Sequence, residues 1–496
     1  MVQGFSREPG THGPISEEIV LPPKAIKQIK KWAYLIAVGG FLFGFDTGVV
    51  SGALLYLKQD FDLNSFEQGS VVSVLLIGAV VGSGMAGKLA DKLGRRKALG
   101  LVGVVFLVGT AIATFATGYA MLMVGRIILG LSVGAASATV PVYLSEIAPT
   151  AIRGRLLTLN QLLITIGILV AYMVNLIFSP SEDWRAMFAC GAIPALVLVV
   201  ASLWLLPESP QWLISTGKAE RARKGIAALA GKDVADAVVK RTQDAIAAEQ
   251  AKAKAKAEDP DSHGIKQLLT PDIRPALIMG LTLAAVQQFG GINTIIYYAP
   301  TIIEKTGLNA SNSIFYSIAI GIINFLMTLV AVKIVDKTGR RPMVLWSLGL
   351  MSVSVFLLGL AFVFDMGSVL TLLFMVIYIA AFAGGMGPVF WTLIGEIFPP
   401  SVRAEGSSLS TAVNWIANFL VSLAFLPVAS AIGQGETFWI FAVICALAFV
   451  FVSKYLPETR GKDALEIQDA LLERFGKEPL DAPSHSSGKG GGKSGS

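Results

Sequence analysis

Asp46, in the stretch Phe43-Gly44-Phe45-Asp46, is the one carboxylate well inside an apolar run of this 496-residue chain. The other Asp and Glu residues stand at the ends of such runs or between them. An ionised carboxylate in hydrocarbon is costly, which marks it as functional, paired, or both. Arg126, about two turns into the fourth apolar run, is the candidate partner. Helix rise puts the two roughly 6–9 Å apart in depth, within reach of an arginine side chain. Burial without a counter-charge raises a carboxyl pKa, and a nearby guanidinium lowers it. A contact made and broken by a change of conformation would therefore tie protonation to conformation, which is the chemistry of proton coupling. A purely structural ion pair is the competing explanation. His12, His263 and His485 all fall outside the apolar runs, so no histidine is placed to relay protons at that depth.

Amides and aromatic rings recur inside the same runs. In the fifth, Gln161, Thr165, Tyr172 and Asn175 fall within about 80° of one another on a helix, forming one polar stripe. In the eleventh, Asn414 and Asn418 share a face with Trp415 beside them. In the tenth, Gly387 stands four residues before Trp391, leaving room above the indole. The seventh is less simple: on an unbroken helix Gln287, Gln288, Asn293 and Tyr297 would sit at about 0°, 100°, 240° and 280° and could not converge. Gly290-Gly291 lies between the two pairs, and a break there brings both to one cavity. Gly384-Gly385 offers a similar weak point in the tenth run. Interrupted helices at bilayer depth line cavities. For each amide taken singly, an interhelical packing bond is the plainer alternative.

These residues need a scaffold of membrane-spanning helices. The chain is 54% hydrophobic with a mean hydropathy of +0.65, and only 15% of its residues are charged, against about a quarter in soluble proteins. Twelve runs approach the roughly 20 residues needed to cross a bilayer. They lie at 33–56, 69–87, 98–117, 120–143, 157–178, 187–206, 276–299, 312–332, 343–363, 369–394, 406–430 and 437–456. Helices are required because backbone groups cannot stay unpaired in lipid. Gly78, Gly82 and Gly84 fit close helix packing through small residues. The net charge of +6 and the pI near 9.1 come from Lys and Arg in short blocks between runs, a bilayer topology pattern rather than a nucleic-acid surface.

Alternate loops carry Lys88, Lys92, Arg95, Arg96 and Lys97, then Arg153 and Arg155, then Lys333, Lys337, Arg340 and Arg341, then Arg403. The opposite loops hold only Lys58, Arg185 and Lys305. The positive-inside rule then places both termini in the cytoplasm of a cell-membrane protein. No signal peptide is visible, because residues 1–31 are polar and charged, so the first span serves as its own insertion signal. Cys190 and Cys445 sit in apolar stretches and resemble neither a disulfide framework nor a zinc site. The organisation expected is an N-terminal cytoplasmic segment (1–31), a first six-helix bundle (32–207), a cytoplasmic helical linker (208–274), a second bundle (275–457) and a cytoplasmic tail (458–496), disordered from about 477.

Three segments recur between the halves. Asp91-Lys-Leu-Gly94-Arg95-Arg96 answers Asp336-Lys-Thr-Gly339-Arg340-Arg341 at an offset of 245 residues. Glu146 through Arg153 answers Glu396 through Arg403, and Pro207-Glu208 answers Pro457-Glu458, both at 250. Each follows the second, fourth or sixth span of its half. Single blocks would pass as stop-transfer charges, but three matched pairs in one order indicate duplication, and parallel six-helix repeats build one large class of transporter.

With Pro207-Glu-Ser-Pro-Gln-Trp-Leu213, Pro457-Glu-Thr-Arg-Gly461 and Gln287-Gln-Phe-Gly-Gly-Ile-Asn293, these blocks resemble the sugar porter family of the major facilitator superfamily from about residue 32 to 462. The resemblance implies alternating access by two rocking bundles with a sugar or polyol bound between them. Such a ligand offers hydroxyls and C–H faces, so amides and aromatic rings suit it. The resemblance carries sugar contact to Gln161, Gln287, Gln288, Asn293, Tyr297, Asn324, Gly387, Trp391, Asn414 and Trp415, mostly in the second half. Asn414 matches the animal facilitators where the bacterial xylose symporter has Gln, so substrate preference is expected to differ. At Asp46 the family's proton symporters carry Asp and many facilitators Asn.

The resulting expectation is proton symport of a hexose, pentose or myo-inositol by a monomer, with Asp46 and Arg126 coupling the proton. No cofactor, metal or nucleic acid is expected. Glu146 with Arg153, Glu396 with Arg403, and Asp91 with Arg95, together with Glu208, Asp336, Arg340 and Glu458, read as a cytoplasmic ion-pair latch favouring the outward-open state. A passive uniporter is the alternative, and a non-transporting sugar sensor is disfavoured by a short Gly-rich tail. A channel lacks its charge ring or filter motif, and an enzyme lacks a nucleotide loop, metal cluster or nucleophile–base pair. Asn309-Ala-Ser311 forms a sequon in a loop and reads as chance.

Overall fold

The computed structural model describes residues 21–149, 152–258 and 264–478, apart from the side chains of 249–250, 252–258, 264–265 and 336. The three histidines, the Gly/Ser-rich tail and the Asp336 side chain lie outside the described residues. Among the described residues, twelve helices are long and apolar enough to cross a bilayer. The first six are Pro23–Asp60, Ser65–Leu93, Arg95–Thr114, Tyr119–Ile147, Arg153–Ser181 and Trp184–Leu205. The second six are Arg274–Glu304, Ala310–Val335, Arg340–Val363, Ser368–Glu396, Arg403–Ile432 and Gln434–Tyr455. Several run past the expected apolar limits. The first has 38 residues, about 57 Å of helix against a hydrocarbon core of about 30 Å. Its surplus is an N-terminal turn set that starts at Pro23 and leaves Lys24, Lys27, Lys30 and Lys31 exposed.

Lipid supplies no hydrophobic drive between helices, so packing rests on close van der Waals approach. The first span carries Gly40, Gly44, Gly48 and Gly52 at every fourth position. These meet Asn160, Ile164, Ile168 and Asn175 of the fifth, and a Cβ at Gly44 would run into the Ile164 carbonyl. Gly78 and Gly82 of the second span meet the fourth span in the same manner. Gly84 does not: among the described residues nothing lies within 4 Å of its missing Cβ, so it takes no part in that packing.

Two spans of the second half are broken. The seventh consists of helices Arg274–Phe289 and Ile292–Glu304, with Gly291 in the left-handed region at φ 97°. The tenth consists of Ser368–Ala383 and Met386–Glu396, parted at Gly384-Gly385. Both breaks fall at the glycine pairs that the sequence marked.

The linker forms helices Pro210–Ser215, Ala219–Ala230, Lys232–Glu258 and Gly264–Leu268, of which Lys232–Glu258, with 27 residues, is not short. A helix of the tail, Ala464–Arg474, begins with a capping box from Asp463 and Glu466. It docks on the linker exit, where Lys477 donates to the Pro271 carbonyl. The side holding linker and tail is called the linker side below, and its opposite the far side.

The halves are joined on the far side. Lys58 Nζ lies 2.5 Å from Glu304, Ser65 Oγ 2.8 Å from Ser430 Oγ, and Ser179 Oγ 2.8 Å from Ser311 Oγ. Deeper in, the Tyr172 hydroxyl donates to the Ile296 carbonyl at 2.7 Å. Each contact runs from the first half to the second, so the chain is held closed on its far side.

Candidate functional site

Asp46 and Arg126 form a direct ion pair, more intimate than their separation in depth required. Arg126 Nη1 donates to both carboxylate oxygens at 2.8 and 2.9 Å, and its Nε donates to the Val71 carbonyl at 3.0 Å. Among the described residues they are the only acidic or basic side chains classed as fully buried, at 2% and 1% exposure. Three helices hold the pair: the first brings the acid, the fourth the base, and the second a carbonyl that fixes the guanidinium.

The second-half amides converge as expected once the seventh span is broken. Asn414 Nδ2 donates to Gln287 Oε1 at 2.6 Å and to the Ala284 carbonyl at 3.1 Å. Gln288 Nε2 lies 3.2 Å from Asn414 Oδ1 and 3.3 Å from Gln287 Oε1. Asn293, from beyond the break, donates to Gln288 Oε1 at 2.7 Å. Gln287 also reaches the Gly387 carbonyl in the tenth span at 3.3 Å. Each amide is thus engaged with another amide or a carbonyl, groups that a polyhydroxyl ligand can replace bond for bond.

The rings flank this cluster. Trp415 packs on Phe43 of the first span with centroids 5.9 Å apart, an aromatic contact across the two halves. Trp391 is 39% exposed and set edge-on to Phe390. Gly387 does not open space for that indole: the Phe382 ring fills the position a Cβ would take. The glycine contributes its carbonyl instead. Asn324 is buried in the eighth span, where its carbonyl accepts the Thr328 hydroxyl at 2.8 Å.

The polar stripe of the fifth span divides. Asn175 donates to the Gly48 carbonyl at 3.0 Å, a packing bond to the first span. Thr165 bonds its own helix at Leu162, and Tyr172 crosses to the second half. Gln161 alone is half-buried without a protein hydrogen bond among the described residues, and so remains available to a ligand. Tyr297, one turn beyond Asn293, has its buried hydroxyl beside Asn418, one turn beyond Asn414, and beside Thr47, the neighbour of Asp46. Nothing local in the sequence marks Thr47 and Phe43 of the first span as meeting Tyr297 of the seventh and Trp415 of the eleventh.

The linker-side charges assemble within each half; Asp91 pairs with Arg95 as expected, whereas Glu146 and Glu396 do not pair with Arg153 and Arg403. Arg95 holds Glu146 through Nε and Nη2 at 2.9–3.1 Å and Asp91 at 2.8 Å. Arg340 holds Glu396 at 3.1 Å. Arg153 and Arg403 instead donate to the Ala148 and Phe398 carbonyls of their own turns. The geometric reason is position: Arg95 and Arg340 open the third and ninth spans directly opposite the glutamates. Glu208 accepts the Arg96 backbone N–H at 3.1 Å, and Glu458 those of Arg340 and Arg341 at 2.9 and 3.1 Å. Each carboxylate caps a helix N-terminus, where free N–H groups and the helix dipole favour negative charge. Gly94 and Gly339 precede those helices at φ 91° and 94°, and a Cβ on either would strike the capping carboxylate. The repeated Gly-Arg-Arg and Pro-Glu blocks are therefore two parts of one cap, built twice.

Residues 32–471 match the family model described as sugar (and other) transporter. The chain belongs to this family. Among relatives of the transporter, the D-xylose transporter of Levilactobacillus brevis is 38% identical over 89% of this chain and 95% of its own. The glucose transporter GlcP of Staphylococcus epidermidis is 40% identical over 89% and 96%. The xylose transporter XylE from E. coli, solved in an inward-open conformation, superposes with a TM-score of 0.77 at 30% identity, covering 89% of this chain and 99% of its own. The same protein bound to 6-bromo-6-deoxy-D-glucose, described as a proton:xylose symporter, gives 0.70. The transporter is thus a twelve-span member of the sugar porter family, with a shape nearer the inward-open than the ligand-bound relative.

Proposed function

We propose that the transporter imports a monosaccharide or polyol by proton symport across the cell membrane, with the linker side facing the cytoplasm. The observation that carries this reading is the buried Asp46–Arg126 pair, whose neighbour Thr47 meets Tyr297, a residue one turn from the amide Asn293. The sidedness follows from the Lys and Arg surplus on the linker side. Sugar is held by Gln161, Gln287, Gln288, Asn293, Tyr297, Asn324, Gly387, Trp391, Asn414 and Trp415. Hydroxyls displace the amide–amide bonds, and Trp391 and Trp415 cover a C–H face.

A proton on Asp46 removes the charge that holds Arg126, freeing the first and fourth spans to move relative to each other. Loss of that proton restores the pair and with it the far-side-closed state described above. The linker-side clusters around Glu146 and Glu396 tie the span ends together within each half. The names of GlcP and XylE support a hexose or pentose as substrate. The direct test is uptake into proteoliposomes of D-glucose, D-xylose, L-arabinose and myo-inositol, with and without an inward proton gradient. At least one compound is expected to accumulate only with the gradient. Uptake that equilibrates equally in both conditions would make the protein a uniporter.

A further inference from the structure

Breaking a helix at bilayer depth frees backbone groups that lipid cannot satisfy. At the seventh-span break, the buried Gly290 carbonyl receives no backbone N–H among the described residues. It accepts the hydroxyl of Tyr378, from the tenth span, at 2.7 Å. Tyr378 is wholly buried. At the tenth-span break, the Met386 N–H donates to Ser347 Oγ of the ninth span at 3.0 Å, and the same hydroxyl donates to the Ala381 carbonyl at 2.8 Å. Ser347 therefore bridges the missing turn.

The two breaks also hold each other. Tyr378, just before the tenth-span break, reaches the break in the seventh. Gln287, just before the seventh-span break, reaches the Gly387 carbonyl just past the break in the tenth. We propose that Tyr378 and Ser347 are positioning residues that lock the two broken helices into one braced unit and thereby set the geometry of the amides Gln287, Gln288 and Asn293. Neither residue touches the ligand. Tyr378 acts through Gly290, the hinge between Gln288 and Asn293. Ser347 acts through Met386, the residue before Gly387. A ligand hydroxyl that draws the Gln287 amide off the Gly387 carbonyl removes one side of the brace, while Tyr378 keeps the seventh-span break in place.

The part concerning ligand geometry rests on the sugar-site reading above, so the test has two arms. In the first, hydrogen exchange is followed by mass spectrometry on the purified, ligand-free full chain. Ser347→Ala is expected to raise exchange on the order of tenfold in segment 290–297 as well as in 381–391, as a lost buried partner loosens both breaks. Tyr378→Phe is expected to do the same in both segments. Exchange that rises only beside the substituted contact would overturn the brace. In the second arm, the Kd for D-glucose and D-xylose is measured on the folded, monodisperse fraction. Both variants are expected to weaken binding by roughly tenfold. Tyr143→Phe, which loses a comparable buried bond to the Pro207 carbonyl on the linker side, is expected to lose thermal stability with Kd unchanged. A Kd unchanged in Tyr378→Phe and Ser347→Ala alongside lowered stability would reduce both residues to a structural role. If neither sugar binds the wild type, the substrate assignment fails while the exchange arm still decides the brace. If Tyr378→Phe does not fold, Ser347→Ala carries both arms.

Discussion

The far-side bridge between Lys58 and Glu304 makes a quantitative prediction. The ion pair spans the two halves at 2.5 Å, and each side chain is 24% exposed. Exposed pairs contribute about 0.2–1 kcal/mol, and this partly buried one belongs at the upper end, about 1 kcal/mol. The contact joins elements that must part for the far side to open, so its whole energy enters the closed–open equilibrium. About 1 kcal/mol corresponds to a fivefold change in that ratio. Lys305 adds to it: burial and the nearby Lys58 hold its ammonium below the usual lysine range, with the Glu304 carboxylate opposing them. Glu304→Gln therefore leaves two cations without the intervening carboxylate. Spin labels placed at Phe66 and Ile432, on the far-side ends of the second and eleventh spans, report the separation of the halves. Glu304→Gln is expected to raise the far-side-open fraction about fivefold, and the exchange Lys58→Glu with Glu304→Lys to restore it. High salt should shrink the difference. An unchanged distance distribution in Glu304→Gln would refute the reasoning.

Three further outcomes follow from the same geometry. Gln288→Ala removes an amide bonded to Asn414 and Asn293 and is expected to raise the KM for sugar roughly tenfold while leaving proton-driven accumulation possible at saturating sugar; a loss of accumulation alone would contradict it. Gly44→Leu drives a side chain into the Ile164 carbonyl, and expression of folded protein, read by size-exclusion profile, should collapse. Glu146→Gln breaks the Arg95 contacts at the linker-side end of the first half, and accessibility of a linker-side cysteine is expected to rise severalfold. No rise would remove Glu146 from the latch.

Much of this was legible in one sequence because membrane solvation writes strong local signals. The twelve spans came from run length, and both helix breaks from Gly290-Gly291 and Gly384-Gly385. The Asp46–Arg126 pair came from the scarcity of charge at depth. What was hidden depends on which faces meet. Gln161 and Asn175 share a stripe by periodicity, yet only Gln161 stays available, because Asn175 fits against the glycine face of the first span. The glutamates of the linker side were paired with the nearest arginines along the chain, Arg153 and Arg403. Their partners are Arg95 and Arg340, brought from other helices. Tyr378 and Ser347 carry no local signal, since one tyrosine or serine in an apolar run looks like any other until the opposing break is known. The tail helix did have a readable mark, Asp463-x-x-Glu466, the capping-box spacing.

In the proposed mechanism a single buried acid, Asp46, links the proton to the sugar. Its sharpest test compares wild type with Asp46→Asn in proteoliposomes loaded with unlabelled substrate, measuring counterflow exchange and gradient-driven accumulation side by side. Asp46→Asn is expected to retain exchange and lose accumulation. Accumulation and sugar-induced proton uptake at wild-type levels in Asp46→Asn would contradict it.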